Sequence, residues 1–238
     1  AWQPELLLPV ESPKEVRGIY RLVYALVHPK GSIKILGLES ETHRERLRTL
    51  LPDLVYNFKK AKLSVSYAFV DGKDFGNMFS ISMEALDTAF FKPNTIFLTL
   101  YASRDLEDKY LPVIEASQVR EWGLLLFAPF EQIGLGIEKT INVWLDRVPE
   151  DWEENLDLGN NDLALLVGLI IRRNWDAQLN IIKTVRPEEA ARRSFWDQEL
   201  ARIKRLARFT KSTRITILER SPEMWDKAHL ADLNIMQL

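Results

Sequence analysis

Short β-branched or aliphatic runs alternate with amphipathic helical stretches from one end of the chain to the other. Glu5 to Val10 reads as a first strand. Ser12-Pro13-Lys14-Glu15 then predicts a capping box with Pro at the first helical position. Val16, Ile19, Tyr20, Val23 and Val27 repeat at helical spacing until His28-Pro29-Lys30-Gly31 stops them. Ser32–Leu38 is a second strand. Thr42 with Glu45 predicts another capping box, ahead of Leu47, Leu50, Leu51, Leu54 and Phe58. Pro52 falls inside that stripe and predicts a kink or a split. Leu63–Val70 is the third strand. Phe75, Phe79, Met83, Leu86 and Phe90 form a third helical stripe, and Thr95–Tyr101 is the fourth strand. A helix from Leu106 to about Glu121, with Leu106, Tyr110, Val113 and Ile114 inward, leads to Gly123–Ala128. The aliphatic run there predicts a strand buried on both faces.

The pattern then resets. Thr140–Leu145 is a strand, an acidic loop with Trp152 follows, and Asp162–Arg173 is apolar nearly all round, as in a covered helix. Gln178–Val185 is a strand. Pro187 opens a long helix, with Glu188 and Glu189 in its first turn and Trp196, Leu200, Ile203 and Ala207 inward. Thr213–Glu219, a short helix capped by Ser221-Pro222-Glu223, and Asp232–Leu238 complete the series. Strands separated by helices pair in parallel with right-handed crossovers. The fold class is therefore α/β, with two Rossmann-like parallel-sheet units in tandem. The split lies in Phe130–Lys139, giving a first unit over 1–134 and a second over 135–238. The second unit is expected to be incomplete at its C-terminus, because it stops one helix–strand step short of the first.

Composition narrows the chemistry. The chain has 238 residues, 46% of them hydrophobic, and a formal net charge of −2, so no global attraction to nucleic acid is expected. It has no cysteine, which excludes disulfides and thiolate chemistry. The longest apolar stretch, Leu163–Ile171, is far short of the about 20 residues of a membrane span.

In an open parallel sheet the carboxyl ends of the strands are where ligands bind. Those ends carry Glu11-Ser12-Pro13, Glu39-Ser40-Glu41, Asp71-Gly72-Lys73-Asp74 and Ala102-Ser103-Arg104, none of them a glycine-rich phosphate cradle. Gly134-Leu135-Gly136-Ile137-Glu138-Lys139-Thr140 echoes a P-loop ending but lacks the Gly before Lys and precedes a strand, so it reads as a linker. Asp71 and Asp74 beside Gly72 read as turn formers rather than a metal or ribose site. His28, His43 and His229 are scattered near helix ends. No catalytic, cofactor-binding or metal-binding residue is expected, and no enzyme.

One cluster stands out. Arg192, Arg193, Arg202, Lys204, Arg205, Arg208, Lys211 and Arg214 make one helix and its exit basic. Such a run is ordinarily a solvated face. Its sharper reading, for Arg192, Arg193, Arg202, Lys204, Arg205, Arg208 and Lys211, is electrostatic docking to anionic lipid or to an acidic partner segment. The acidic loop Glu150-Asp151-Trp152-Glu153-Glu154 is a second candidate contact, within a dimer.

Three collinear stretches carry a resemblance. These are Trp2-Gln3-Pro4-Glu5-Leu6-Leu7, Lys92-Pro93-Asn94-Thr95, and Thr140-Ile141-Asn142-Val143-Trp144-Leu145 followed by Asp162-Leu163-Ala164-Leu165-Leu166. Together they resemble the cytosolic C-terminal domain of cation-chloride cotransporters, the sodium-potassium-chloride and potassium-chloride families. Leu145 in place of a second Trp, Asn161-Asp162 in place of a Gly pair, and a longer intervening loop point to a distant, prokaryotic member. The resemblance implies two universal-stress-protein-like units and a homodimer. It implies a regulatory role at the cytoplasmic face of the membrane, beside the membrane domain of the same polypeptide that performs electroneutral symport. No cofactor and no nucleic acid are implied. The alternatives are a nucleotide sensor of universal-stress type and a hydrolase or transferase on a doubly wound sheet.

Overall fold

The computed structural model describes residues 2–39, 42–72, 74–88, 92–100, 106–130, 134–145, 158 and 161–237. The chain divides into two compact units, Ala1–Gly134 and Leu135–Leu238. Each is an all-parallel sheet with helical crossovers.

The first unit runs β1 (Glu5–Val10), α1 (Pro13–Val27), β2 (Ser32–Glu39), α2 (Arg44–Lys60), β3 (Ser64–Asp71), α3 (Phe75–Asp87), β4 (Thr95–Thr99), α4 (Leu106–Val119), β5 (Gly123–Phe127). Its strand order is β3-β2-β1-β4-β5, so the direction of winding reverses between β1 and β4. Helix α1 starts as the sequence predicts. Glu15 Oε2 accepts from the backbone N–H groups of Glu11 (2.7 Å) and Ser12 (3.3 Å). Leu7, Leu36, Leu38, Ile96 and Leu98 of the sheet pack on Phe75, Met78, Phe79 and Met83 of α3 and Tyr110 and Val113 of α4.

Four expectations change here. The second helix begins at Arg44 with His43 in the N-cap position, and Thr42 does not cap it. Pro52 does not split the helix, which continues to Lys60. The lost hydrogen bond is outweighed by the buried Leu47, Leu51, Leu54, Val55 and Phe58 on the core side. Strand β5 is only half-buried throughout, because it is the sheet's edge and not an inner strand. Strand β4 ends at Thr99.

The second unit runs β6 (Thr140–Leu145), α5 (Asn161–Trp175), β7 (Gln178–Val185), a 3-10 segment (Pro187–Arg192), α6 (Arg193–Leu206), β8 (Arg214–Glu219), α7 (Met224–Lys227), β9 (Leu233–Met236), ordered β8-β7-β6-β9. Helix α5 buries Ala164, Leu165, Val167, Gly168 and Ile171, while Leu163, Leu166, Leu169 and Ile170 stay half-buried. Its approach to the sheet depends on Gly168, where a Cβ would lie 2.6 Å from Val143 Cγ2. The long helix expected from Pro187 is instead a 3-10 turn leading into α6. Trp196, Leu200 and Ile203 point inward, but Ala207 is the exposed C-cap and Phe209 takes the next buried place.

The two units share more than strand order. Glu5 stands opposite Ser32 as Thr140 stands opposite Gln178, and Leu6 opposite Thr95 as Ile141 opposite Leu233. Before β4, Asn94 Oδ1 accepts from the Glu5 N–H (3.0 Å), and Asn94 N–H donates to the Glu5 carbonyl. Before β9, Asp232 Oδ2 accepts from the Thr140 N–H (2.9 Å), and Asp232 N–H donates to the Thr140 carbonyl. One side-chain clasp therefore fastens the outer strand to the central strand in both units.

Candidate functional site

The carboxyl ends of the strands are the first place to look, and among the described residues those of β1, β2, β3 and β7 carry side chains held by the chain's own groups. At the tip of β2, the carboxylate of Glu39 is buried (1% exposed). Arg48 binds it in a bidentate pair, Nε to Oε1 at 2.5 Å and Nη2 to Oε2 at 3.0 Å. Arg44 Nε lies 3.5 Å from Glu39 Oε2, and its Nη2 pairs with Asp71 at the tip of β3. Arg48 also sits over the Phe69 ring, 5.5 Å from its centroid. Its hydrogen bond to Glu39 and the attraction of that carboxylate raise the Arg48 pKa further. After β1 the Glu15 carboxylate already takes the two N–H groups at the start of α1. Asp74 caps α3 by accepting from the Asn77 N–H at 2.8 Å. The Asp71–Asp74 pair is thus a salt bridge and a helix cap. The sequence reading missed the Glu39–Arg48 pairing, although the spacing of Arg44 and Arg48 on one helix face, facing an acid at a strand end, carried the signal.

In the second unit Lys183, near the tip of β7, is 3% exposed, with its Nζ 4.6 Å from the centroid of the Trp196 ring. Burial lowers its pKa to about 8, partly offset by the Glu189 carboxylate. The three histidines are not brought together. His28 follows α1 with its ring tilted against Tyr24 at 5.0 Å between centroids, His43 precedes α2, and the carbonyl of His229 accepts from Asn142 Nδ2. Among the described residues no group of three or more acidic or histidine side chains suits a metal ion.

At the opposite, amino end of the second sheet the P-loop echo proves to be an anion nest with its own anion. Gly134, Gly136 and Glu138 all have positive φ. The Asp232 carboxylate accepts from the N–H groups of Ile137 (3.0 Å), Lys139 (2.8 Å) and Thr140 (2.9 Å). Burial pushes the Asp232 pKa up, and the three backbone hydrogen bonds more than offset it and hold the group below the usual carboxylate range. Beside it a row of amides crosses the sheet. Asn180 Nδ2 donates to Asn142 Oδ1 (2.9 Å), and Asn234 Oδ1 accepts from Asn142 Nδ2 (3.2 Å) and from Trp144 Nε1 (3.0 Å).

The basic cluster lies at this same amino end. The last turn of α6, the loop after it and the start of β8 enclose an open cleft of about 570 Å³, lined by Ala201, Lys204, Arg205, Arg208, Phe209, Lys211 and Ile215. Four of the residues expected to act together are therefore brought together. Lys204 is committed to the fold, with Nζ donating to the Thr213 carbonyl at 2.7 Å. Arg205, Arg208 and Lys211 are exposed. Arg192 and Arg193 start the helix, away from the cleft, and Arg192 stacks on Phe195 at 5.0 Å. Arg202 does not line the cleft. Phe90, the Leu106 side chain and the acidic loop 150–154 lie outside the described residues.

Residues 8–135 match the family described as prokaryotic cation-chloride cotransporter, C-terminal domain, first part, and residues 136–238 match the second part. Among solved structures, the chain is similar to the cytoplasmic domain of a prokaryotic cation chloride cotransporter. Sequence identity is 31% and the TM-score 0.85, over 100% of this chain and 86% of that one. It shares its fold with a protein of unknown function from Pseudomonas aeruginosa PAO1 (12% identity, TM-score 0.58). It shares it also with a protein from Pseudomonas aeruginosa UCBPP-PA14 assigned to the universal stress proteins (13% identity, TM-score 0.55). Each of these two matches covers 90% of this chain and 74% of the other. No curated protein sequence matches the chain. The chain belongs to the prokaryotic cation-chloride cotransporter family, and its two units are the two parts of that family's C-terminal domain.

Proposed function

We propose that this chain is a cytoplasmic regulatory and dimerisation domain of an electroneutral cation-chloride symporter. The observation that carries this reading is the state of the strand tips. At the described carboxyl ends of its strands this chain holds Glu39 with Arg48 and Arg44, Glu15 on the start of α1, and Lys183 on Trp196. Among the described residues no helix is long and apolar enough to cross a membrane, and this reading leaves the ion path to another part of the transporter. The domain's contribution is mechanical. A contact between two copies fixes two membrane domains relative to each other, and a change at that contact shifts their conformational populations.

Ion flux through the complete transporter in proteoliposomes, with and without this domain, tests the reading. Removal is expected to change the rate or its regulation and to leave the ion selectivity and coupling ratio intact. A changed ion selectivity would place part of the ion path here and contradict the reading.

A further inference from the structure

We propose that the cleft edged by Arg205, Arg208 and Lys211 seats the phosphate-bearing headgroups of an anionic membrane surface. The inference rests on the membrane placement argued above and not on dimerisation. Between Leu200 and Arg214 the chain carries six cations and no acid: Arg202, Lys204, Arg205, Arg208, Lys211 and Arg214. This concentration stands within a chain of net charge −2. Arg205, Arg208 and Lys211 form no ion pair among the described residues, so their charge faces outward uncompensated.

A basic C-terminal turn ordinarily serves its own helix by meeting the free carbonyls. Here three of the last four carbonyls, those of Ile203, Lys204 and Arg205, are already met by backbone N–H groups. The N–H groups of Ala207, Arg208 and Phe209 donate to Ile203, Arg205 and Lys204, and Lys204 Nζ serves the carbonyls at Lys211 and Thr213. The three outer cations are left for a partner. The cleft's own surface chooses the kind. Its apolar lining is Ala201, Phe209 and Ile215, and Leu206, 54% exposed, stands beside Arg205. Cations around apolar side chains match the headgroup layer of a bilayer, where charge lies next to hydrocarbon. Phe209 is buried, so the cleft offers no open ring on which a nucleic-acid base would stack. The cations are long, solvent-facing side chains, which suit a diffuse anionic surface better than one fixed soluble ligand.

Co-sedimentation of the chain with vesicles tests this. It should bind vesicles of phosphatidylcholine with phosphatidylglycerol and ignore phosphatidylcholine alone. Binding should fall as salt rises, because the screening length shrinks from about 10 Å to about 3 Å between 0.1 and 1 M. The triple variant R205A/R208A/K211A should lose roughly a hundredfold in partition, about fivefold per cation. The variant K59A/K60A, which removes two exposed cations at the end of α2, should stay within about twofold. The charge-retaining R205K/R208K should keep the binding, which separates a charge effect from a folding one. An unchanged partition in the triple variant overturns the proposal, and so does an equal loss in K59A/K60A. Saturable binding of inorganic pyrophosphate, read by calorimetry without vesicle binding, would assign the cleft to a soluble phosphate compound and overturn it as well. A monomeric chain that binds the vesicles would count against the dimer and leave this proposal standing.

Discussion

Lys183 is a residue whose chemistry works against its place in the fold. Its ammonium is buried under Trp196, and its pKa falls from 10.5 to about 8. A cation whose folded-state pKa lies below its unfolded value costs stability while it is charged. The cost is fully present below about pH 8 and fades as pH rises towards 10.5. The displacement corresponds to roughly 3 kcal/mol at neutral pH, part of which the aromatic contact returns. Lys183→Met should therefore be more stable than the natural chain at pH 7 by about 1–3 kcal/mol. Urea midpoints of both proteins at pH 7 and at pH 10 check it, and the variant's advantage should shrink at the higher pH. The sequence reading had no means of finding this residue. Lys183 lies in the strand Gln178–Val185, which is legible, but its burial depends on Trp196 arriving from α6. Glu39 is a similar case, because its partners come from the next helix.

At the scale of elements, the second unit's sheet is closed by one carboxylate. Asp232 holds β9 to β6 by accepting from three N–H groups that lead into and open β6. Asp232→Ala should cost about 1–3 kcal/mol. Because the folded-state pKa is depressed, this stabilisation is present above the unfolded value of about 3.9 and is lost as pH falls through the folded one. The gap between the natural chain and Asp232→Ala in chemical unfolding should thus be wide at pH 7 and nearly closed at the acid end. Gly136→Ala should reproduce the defect, since its Cβ would lie 2.2 Å from Asp232 Oδ1 at a residue with φ of +58°.

Element order was readable throughout, because hydrophobic period and turn residues are local signals. The ends of elements were less so. Pro52 continues its helix because the core beneath it outweighs one backbone bond, and β5 is half-buried because edge position is a property of the sheet. The clasp at Asp232 and its counterpart at Asn94 were invisible for the same reason. Each joins residues about ninety positions apart.

For the whole molecule, the two units repeat one plan, with the same register at their central strands and the same clasp. The basic cluster was legible as a charge run, and four of its residues meet at one cleft. Family membership was legible from three collinear motifs, and the family matches extend over residues 8–238 in two parts. What no local pattern supplies is how a body whose described strand tips are held by its own side chains acts. Under the function proposed above, it acts by holding a second copy. Sedimentation velocity of the chain across a concentration series into the high micromolar range tests that answer most directly. A shift from monomer to dimer with increasing concentration is predicted, and a chain that stays monomeric over the whole series would contradict it.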